Sequence, residues 1–238
     1  MDSNELTTFE DRFTLDDVMS KAFEDLKSSF WKLLGMAALA VLVVTLPQLA
    51  NFALKWLTEN NAFTVALVAL LGVASGVLGL LMQMGLYKIQ LNIVHGLPYN
   101  SNTLWEPAGK FWAFLGASIC YGIMLFWGFI FFVVPGIILM ITFQFYPFFI
   151  IDQNKGPIEA LKESARITNG SKWELFFLSL IMMVVAGLGQ MLLFIGVVPA
   201  EFFNKLTLTR AYTDLLARNP GGTSTGAENM AEKTGLIE

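Results

Sequence analysis

The stretch AFTVALVALLGVASGVLGLLMQMGLY, Ala62–Tyr87, holds no charged side chain. A helix crosses the hydrocarbon of a bilayer with about 20 mainly apolar residues. A run of that length and purity reads as a membrane span rather than as a core helix of a soluble domain. Five further stretches carry the signature to differing degrees: Phe30–Leu46, Phe111–Val133, Pro135–Ile151, Trp173–Ile195 and Pro199–Leu216. The last is the weakest, because Glu201, Asn204, Lys205 and Arg210 interrupt it. Composition agrees, with 55% hydrophobic and only 14% charged residues, where soluble domains carry about 25% charged. The expected fold is all-α: a polytopic membrane bundle of about six transmembrane helices arranged as three hairpins, with amphipathic interfacial helices on the cytoplasmic side.

The cations fix an expected orientation. The chain has 15 Lys and Arg residues. Arg12, Lys21, Lys27 and Lys32 precede or open the first span. Lys88 and Lys110 fall in the second connection, and Lys155, Lys162, Arg166 and Lys172 in the fourth. Lys205, Arg210, Arg218 and Lys233 lie towards the C-terminus. Only Lys55 falls on the other side. Positively charged loops stay in the cytoplasm, so both termini are expected there. The first 29 residues, polar and acidic, lack the apolar core of a cleavable signal, and the first span is expected to act as the anchor. Three regions follow: an acidic segment 1–13, a membrane domain 14–217 and a flexible cytoplasmic tail 218–238. The tail's Pro-Gly-Gly-Thr-Ser-Thr-Gly composition favours a solvated chain.

A loose three-fold pattern recurs. Spans open on Ser29-Phe-Trp-Lys-Leu-Leu-Gly35, Lys110-Phe-Trp-Ala-Phe-Leu-Gly116 and Ser171-Lys-Trp-Glu-Leu-Phe-Phe177. They place Trp31, Trp112 and Trp173 as interfacial anchors, where an amphipathic ring sits at headgroup level. Breaks follow at Val43-Val-Thr-Leu-Pro47, Val133-Val-Pro135 and Val197-Val-Pro199, the last two in very short, uncharged outer connections that predict tight helical hairpins. Pro135 and Pro199 suit helix starts, where the missing N–H costs nothing. Before the first span, Leu15, Val18, Met19, Ala22, Phe23 and Leu26 follow helical spacing, with Thr14 and Asp17 resembling a capping box. In the third unit Pro157 starts a helix with a stripe of Ile158, Leu161 and Ala165, Asn169-Gly170 ends it, and Ser171 and Glu174 cap the next. Both amphipathic stretches are expected to lie flat, apolar side in the headgroup region.

Chemistry is sparse. The sequence has no phosphate-cradling glycine loop, no HExxH, no CxxC and no Gly-x-Ser-x-Gly. One histidine and one cysteine leave no basis for a His-based metal site or an intrachain disulfide, and Cys120 reads as a small buried hydrophobe. No basic cluster points to nucleic acid. No cofactor is implied. The intramembrane polar residues Gln48, Asn51, Gln83, Gln90, Gln144, Gln190, Glu201 and Lys205 are costly in lipid. They line a polar groove or lipid-headgroup site, or else make interhelical hydrogen bonds and an i,i+4 ion pair between Glu201 and Lys205. Gly72 and Gly76 form a small-xxx-small pair that admits a close helix. Phe143, Phe145, Tyr146, Phe148 and Phe149 read as lipid-facing and belt aromatics.

The run Val133-Val-Pro-Gly-Ile-Ile-Leu-Met, then Tyr146-Pro-Phe-Phe-Ile-Ile-Asp152, Gly156-Pro-Ile-Glu-Ala-Leu-Lys-Glu-Ser164 and Thr168-Asn-Gly-Ser-Lys-Trp-Glu-Leu-Phe177 resembles the membrane domain attached to some glycerophosphoryl diester phosphodiesterases. It also resembles related stand-alone six-helix bacterial membrane proteins. The ending Leu206-Thr-Leu-Thr-Arg-Ala-Tyr-Thr-Asp-Leu215 resembles the group's last helix. The resemblance covers about residues 110–217 and implies a fold rather than an activity, because the phosphodiesterase chemistry of the fused proteins resides in a separate barrel. It implies a multi-pass protein of the bacterial cytoplasmic membrane. The expected function is non-enzymatic: an accessory or scaffold subunit, or a lipid-interacting factor, with membrane phospholipids and other membrane-protein subunits as partners. The alternative is a small transporter or permease whose polar positions converge on a midplane cavity. An intramembrane lipid enzyme ranks last, since Glu201 alone supplies too little chemistry.

Overall fold

The structure is a computed structural model that describes residues 15–57, 61–191 and 197–218. The acidic N-terminal segment, the Thr14 cap, the end of the fifth expected span beyond Met191, Gly196 and the tail from Asn219 lie outside the described residues. The described chain is helical and has no strand: α1 (Leu15–Leu57), α2 (Ala62–Val94), short 3₁₀ turns at Ser101–Leu104 and Glu106–Lys110, then α3 (Phe111–Phe131), α4 (Val133–Phe143), α5 (Tyr146–Ile151), α6 (Pro157–Ile167), α7 (Lys172–Met191) and α8 (Val197–Arg218). Five stretches are long and apolar enough to cross a membrane: Leu15–Lys55, Ala62–Val94, Ser101–Phe131, Val133–Ile151 and Lys172–Met191. The polar α8 is not among them. The described residues are all-helical, and their long apolar helices are compatible with a multi-pass membrane protein.

The helices form two compact units, residues 29–111 and residues 1–28 with 112–238. In the first, α1 does not break at Pro47. The helix continues to Leu57 with Pro47 inside it, although proline cannot donate to the Val43 carbonyl. An apolar environment tolerates this, since the rest of the helical ladder keeps its own hydrogen bonds and unwinding would expose more backbone to lipid. Asn61 caps α2, its Oδ1 accepting from the Thr64 N–H at 2.9 Å. The far end of α2 buries Met82, Met84, Ile89, Gln90, Leu91 and Ile93. The 3₁₀ turns fold back on it, so that a Cβ placed on Gly85 would lie 2.6 Å from Leu104 Cα. Of the expected pair, Gly72 lies against α1, where a Cβ would be 4.0 Å from the Asn51 side chain, whereas a Cβ at Gly76 would meet nothing within 4 Å. The tightest glycine contact of this unit is therefore at Gly85, further along α2.

In the second unit α3 and α4 form a hairpin joined by one extended residue, Phe132 (φ −163°, ψ 150°). The Phe132 N–H donates to the Gly128 carbonyl at 3.2 Å, and the Gly136 N–H to the Phe132 carbonyl at 3.3 Å. Gly128 and Gly136 face each other so closely that a Cβ on the first would lie 3.2 Å from Gly136 Cα. The short connection expected at Val133-Val-Pro-Gly136 is thus a turn centred on Phe132. The amphipathic start of α1 is corrected, however. It is continuous with the first span, and its stripe Val18, Ala22 and Leu26 is buried in this unit, not laid into headgroups. The apolar stripe finds protein to cover it, and a bidentate ion pair holds it there: Arg210 Nε and Nη2 donate to Asp25 Oδ2 and Oδ1 at 2.6 and 2.8 Å.

Apart from the half-buried Phe143, the aromatic run is likewise not lipid-facing. Phe145, Phe148 and Phe149 are fully buried, and all of α5 is core. Tyr212 of α8 stacks on Phe148 (centroids 5.0 Å apart) and meets Phe149 edge-on at 5.2 Å. Composition misleads here because a phenylalanine facing lipid and one facing protein cannot be told apart by hydropathy. Pro147 decides the matter by ending α4 early, since its ring would clash with the preceding turn. The chain then turns α5 inwards beneath α6.

Candidate functional site

The break between α4 and α5 leaves backbone groups unpaired, and α6 supplies the partners. Ser164 Oγ accepts from the Phe145 N–H at 3.1 Å and donates to the Thr142 carbonyl at 2.8 Å. Thr168 Oγ1 reaches the same carbonyl at 3.3 Å and the Ser164 carbonyl at 2.9 Å. Both side chains are fully buried. Nearby, Tyr212 donates to Asp152 Oδ2 at 3.2 Å and accepts from Gln153 Nε2 at 3.4 Å. This seam fixes α5, α6 and α8 together, though Thr142 Oγ1 and Gln153 Oε1 stay buried without a hydrogen-bond partner. It is structural, and sequence reading missed it. The signal was available: Ala160, Leu161, Ser164 and Ile167 share the buried face of α6, and a serine inside an apolar stripe needs a partner.

The expected polar positions scatter. Gln83 and Gln190 are exposed, as is Glu201, whereas Lys205 is half-buried. Gln144 sits at the α4–α5 break, half-buried, with its Nε2 unpartnered. Gln90 is buried at the far end of α2, its Oε1 unpartnered. Asn204, treated in the sequence only as a burden on hydropathy, bridges helices: its Nδ2 donates to the Met182 carbonyl of α7 at 3.0 Å. Trp31, Trp112 and Trp173 are 79%, 78% and 75% exposed, and Trp31 and Trp173 meet Phe30 and Phe176 edge-on.

Two of the expected residues do come together. Gln48 and Asn51 line a cleft of about 520 Å³ between α1 and α2, together with Lys55, Ser75 and the glycines Gly72, Gly76 and Gly79. The missing side chains of the glycines create the space. The Asn51 amide is oriented by its partners, with nitrogen towards the Val68 carbonyl and oxygen towards the Gly72 N–H, each at 3.2 Å. It therefore pins the two helices on one wall. Ser75 Oγ donates back to the Leu71 carbonyl at 2.8 Å. Gln48 and Lys55 are exposed and remain available to an occupant: an amide that donates and accepts, and a cation one helical repeat further along α1. The floor is apolar. Such a cleft can hold a molecule with a polar, anionic end and an apolar body.

The second unit carries an apolar groove of about 530 Å³. Cys120, Ile123 and Met124 of α3 and Phe143 of α4 form one side, and Ile158, Leu161, Lys162 and Ala165 of α6 the other. Another, of about 440 Å³, runs between α4 and α7 with Lys172 and Trp173 in its lining. Among the described residues no group of three or more His, Cys, Asp or Glu side chains is placed to hold a metal ion.

These features define an all-helical protein with several apolar helices long enough to span a bilayer and clefts whose walls combine lipid-like surface with single polar groups. The comparisons add one likeness. Residues 108–219, which span α3 to α8, are similar to a domain of unknown function, DUF7847. No curated protein and no solved structure matches the chain.

Proposed function

We propose that this chain is a non-enzymatic, lipid-interacting protein of the bacterial cytoplasmic membrane. In this reading α8 is a sixth, polar-faced crossing, the helices pair as three hairpins, and both termini face the cytoplasm. The charge pattern supports that orientation, since Lys55 alone among the Lys and Arg residues falls on the far side. The resemblance read over about residues 110–217 to the membrane domain of glycerophosphoryl diester phosphodiesterases would then be one of architecture. The protein acts by holding phospholipid, and through it or beside it another membrane subunit.

The observation that carries the proposal is the cleft of Gln48, Asn51 and Lys55. Hydrocarbon surface in a membrane gains nothing from leaving water, so selective retention there rests on packing and on polar groups. This cleft offers both, with amide and ammonium groups set against a glycine-cleared apolar wall. The test is gentle detergent purification from native membranes, followed by mass spectrometry of retained proteins and lipids. An enriched phospholipid that is lost in Gln48→Leu/Lys55→Gln protein is the expected result. Monodisperse protein that retains no lipid selectively and no partner overturns the proposal.

A further inference from the structure

The amphipathic helix α6 has two apolar faces, and the core uses only one. Ala160, Leu161, Ser164 and Ile167 are buried. The stripe read from the sequence, Ile158, Leu161 and Ala165, turns along the neighbouring face, and Ile158 is 54% exposed. That face is one wall of the groove against α3. Where α6 begins, Pro157 rests against α3, 3.4 Å from a Cβ placed on Gly116. The groove volume of about 530 Å³ falls in the range of about 300–1,000 Å³ typical of ligand sites.

Charge decides what such a groove holds. Lys162 is the only charged residue in its lining. It is exposed and joins no ion pair among the described residues, whereas Arg166, one turn on, is paired with Glu163 at 2.7 Å. The geometry points to a binding site for an anionic phospholipid, with an acyl chain against Cys120, Met124 and Ile158 and the phosphate at Lys162. A lipid presents the right order of parts, polar at the rim and apolar within. A neighbouring protein helix would have to place an acidic side chain beside apolar surface at membrane depth, which is costly. Any bilayer lipid can fill the apolar part, so discrimination falls to the lysine. One lysine at a membrane surface favours anionic lipid by about five-fold. The inference rests on the membrane reading above but not on the Gln48 cleft, which belongs to the other unit.

Cys120 is the only cysteine in the chain and lines the groove, so it reports occupancy in the full-length protein without engineering. The experiment follows the rate at which a membrane-permeant maleimide labels Cys120, in nanodiscs of phosphatidylcholine alone or mixed with phosphatidylglycerol. Slower labelling with phosphatidylglycerol is expected, by up to about five-fold. Lys162→Gln should erase the difference and Lys162→Arg should keep it. Equal rates in both lipids, or a difference that survives Lys162→Gln, overturns the site. Protection that tracks the number of protein copies per disc instead of lipid charge would make the groove a contact between copies and equally overturn it. Gln48→Leu should leave the labelling unchanged, so failure of the cleft and failure of this groove are read separately.

Discussion

Breaking the Asp25–Arg210 pair should release the start of α1 from α8. The two bonds of 2.6 and 2.8 Å form a planar fork, and the side chains are 15% and 25% exposed. The pair thus falls between two regimes. Exposed ion pairs contribute about 0–1 kcal/mol, while removing one partner of a buried pair costs about 3–5 kcal/mol because the other charge is stranded. Unit charges about 4 Å apart attract by about 4 kcal/mol at an effective dielectric constant near 20, and desolvation offsets much of that. A coupling of about 1–3 kcal/mol remains. Arg210→Gln alone should destabilise more than the double variant with Asp25→Asn, since the single change leaves Asp25 without its partner. Denaturant-induced unfolding in mixed micelles, run as a double-mutant cycle, measures the coupling directly. A coupling under about 0.5 kcal/mol would refute the argument, because the pair would then be no more than a surface contact. The stripe Val18, Ala22 and Leu26 would in that case hold the helix by packing alone.

Ser164→Ala should cost about 1–3 kcal/mol, chiefly from the orphaned Phe145 N–H, because Thr168 still covers the Thr142 carbonyl; the same unfolding assay reads it, and a neutral result would show that the α4–α5 break relaxes without α6. Gly85→Val should disrupt the packing of the 3₁₀ turns, with the Leu104 backbone in the way, and lower the midpoint of thermal unfolding sharply. Gly76→Ala faces open space and should be neutral or stabilising by up to about 1 kcal/mol from helix propensity; loss of stability there would restore the small-xxx-small reading. Gln48→Leu/Lys55→Gln should purify with less phospholipid but unchanged helicity by circular dichroism.

The sequence by itself determined the class of structure. A long uncharged run cannot be anything but a membrane span or a deeply buried helix, and the repetition of such runs decides between them. It also marked the short connection at Val133-Val-Pro-Gly136, because that run combines a helix stop, a helix start and the missing Cβ that lets two helices touch; the structure puts the extended residue one position earlier, at Phe132. It singled out Gln48 and Asn51, because an amide in an apolar run is expensive wherever it points.

What hydropathy cannot carry is direction. Only the tertiary structure showed that Phe145, Phe148 and Phe149 face Tyr212 and not lipid, since both environments are apolar and the sequence pattern is the same for each. Only it showed that the helix runs through Pro47, a matter of whether surrounding atoms make unwinding costlier than one lost hydrogen bond. The partner of Arg210 lies 185 residues away in Asp25, and no local spacing encodes a contact at that distance. The functional surfaces belong to the same class. A cleft exists because glycines on one helix face amides on another, and a groove exists because one face of α6 is left over when its other face is buried.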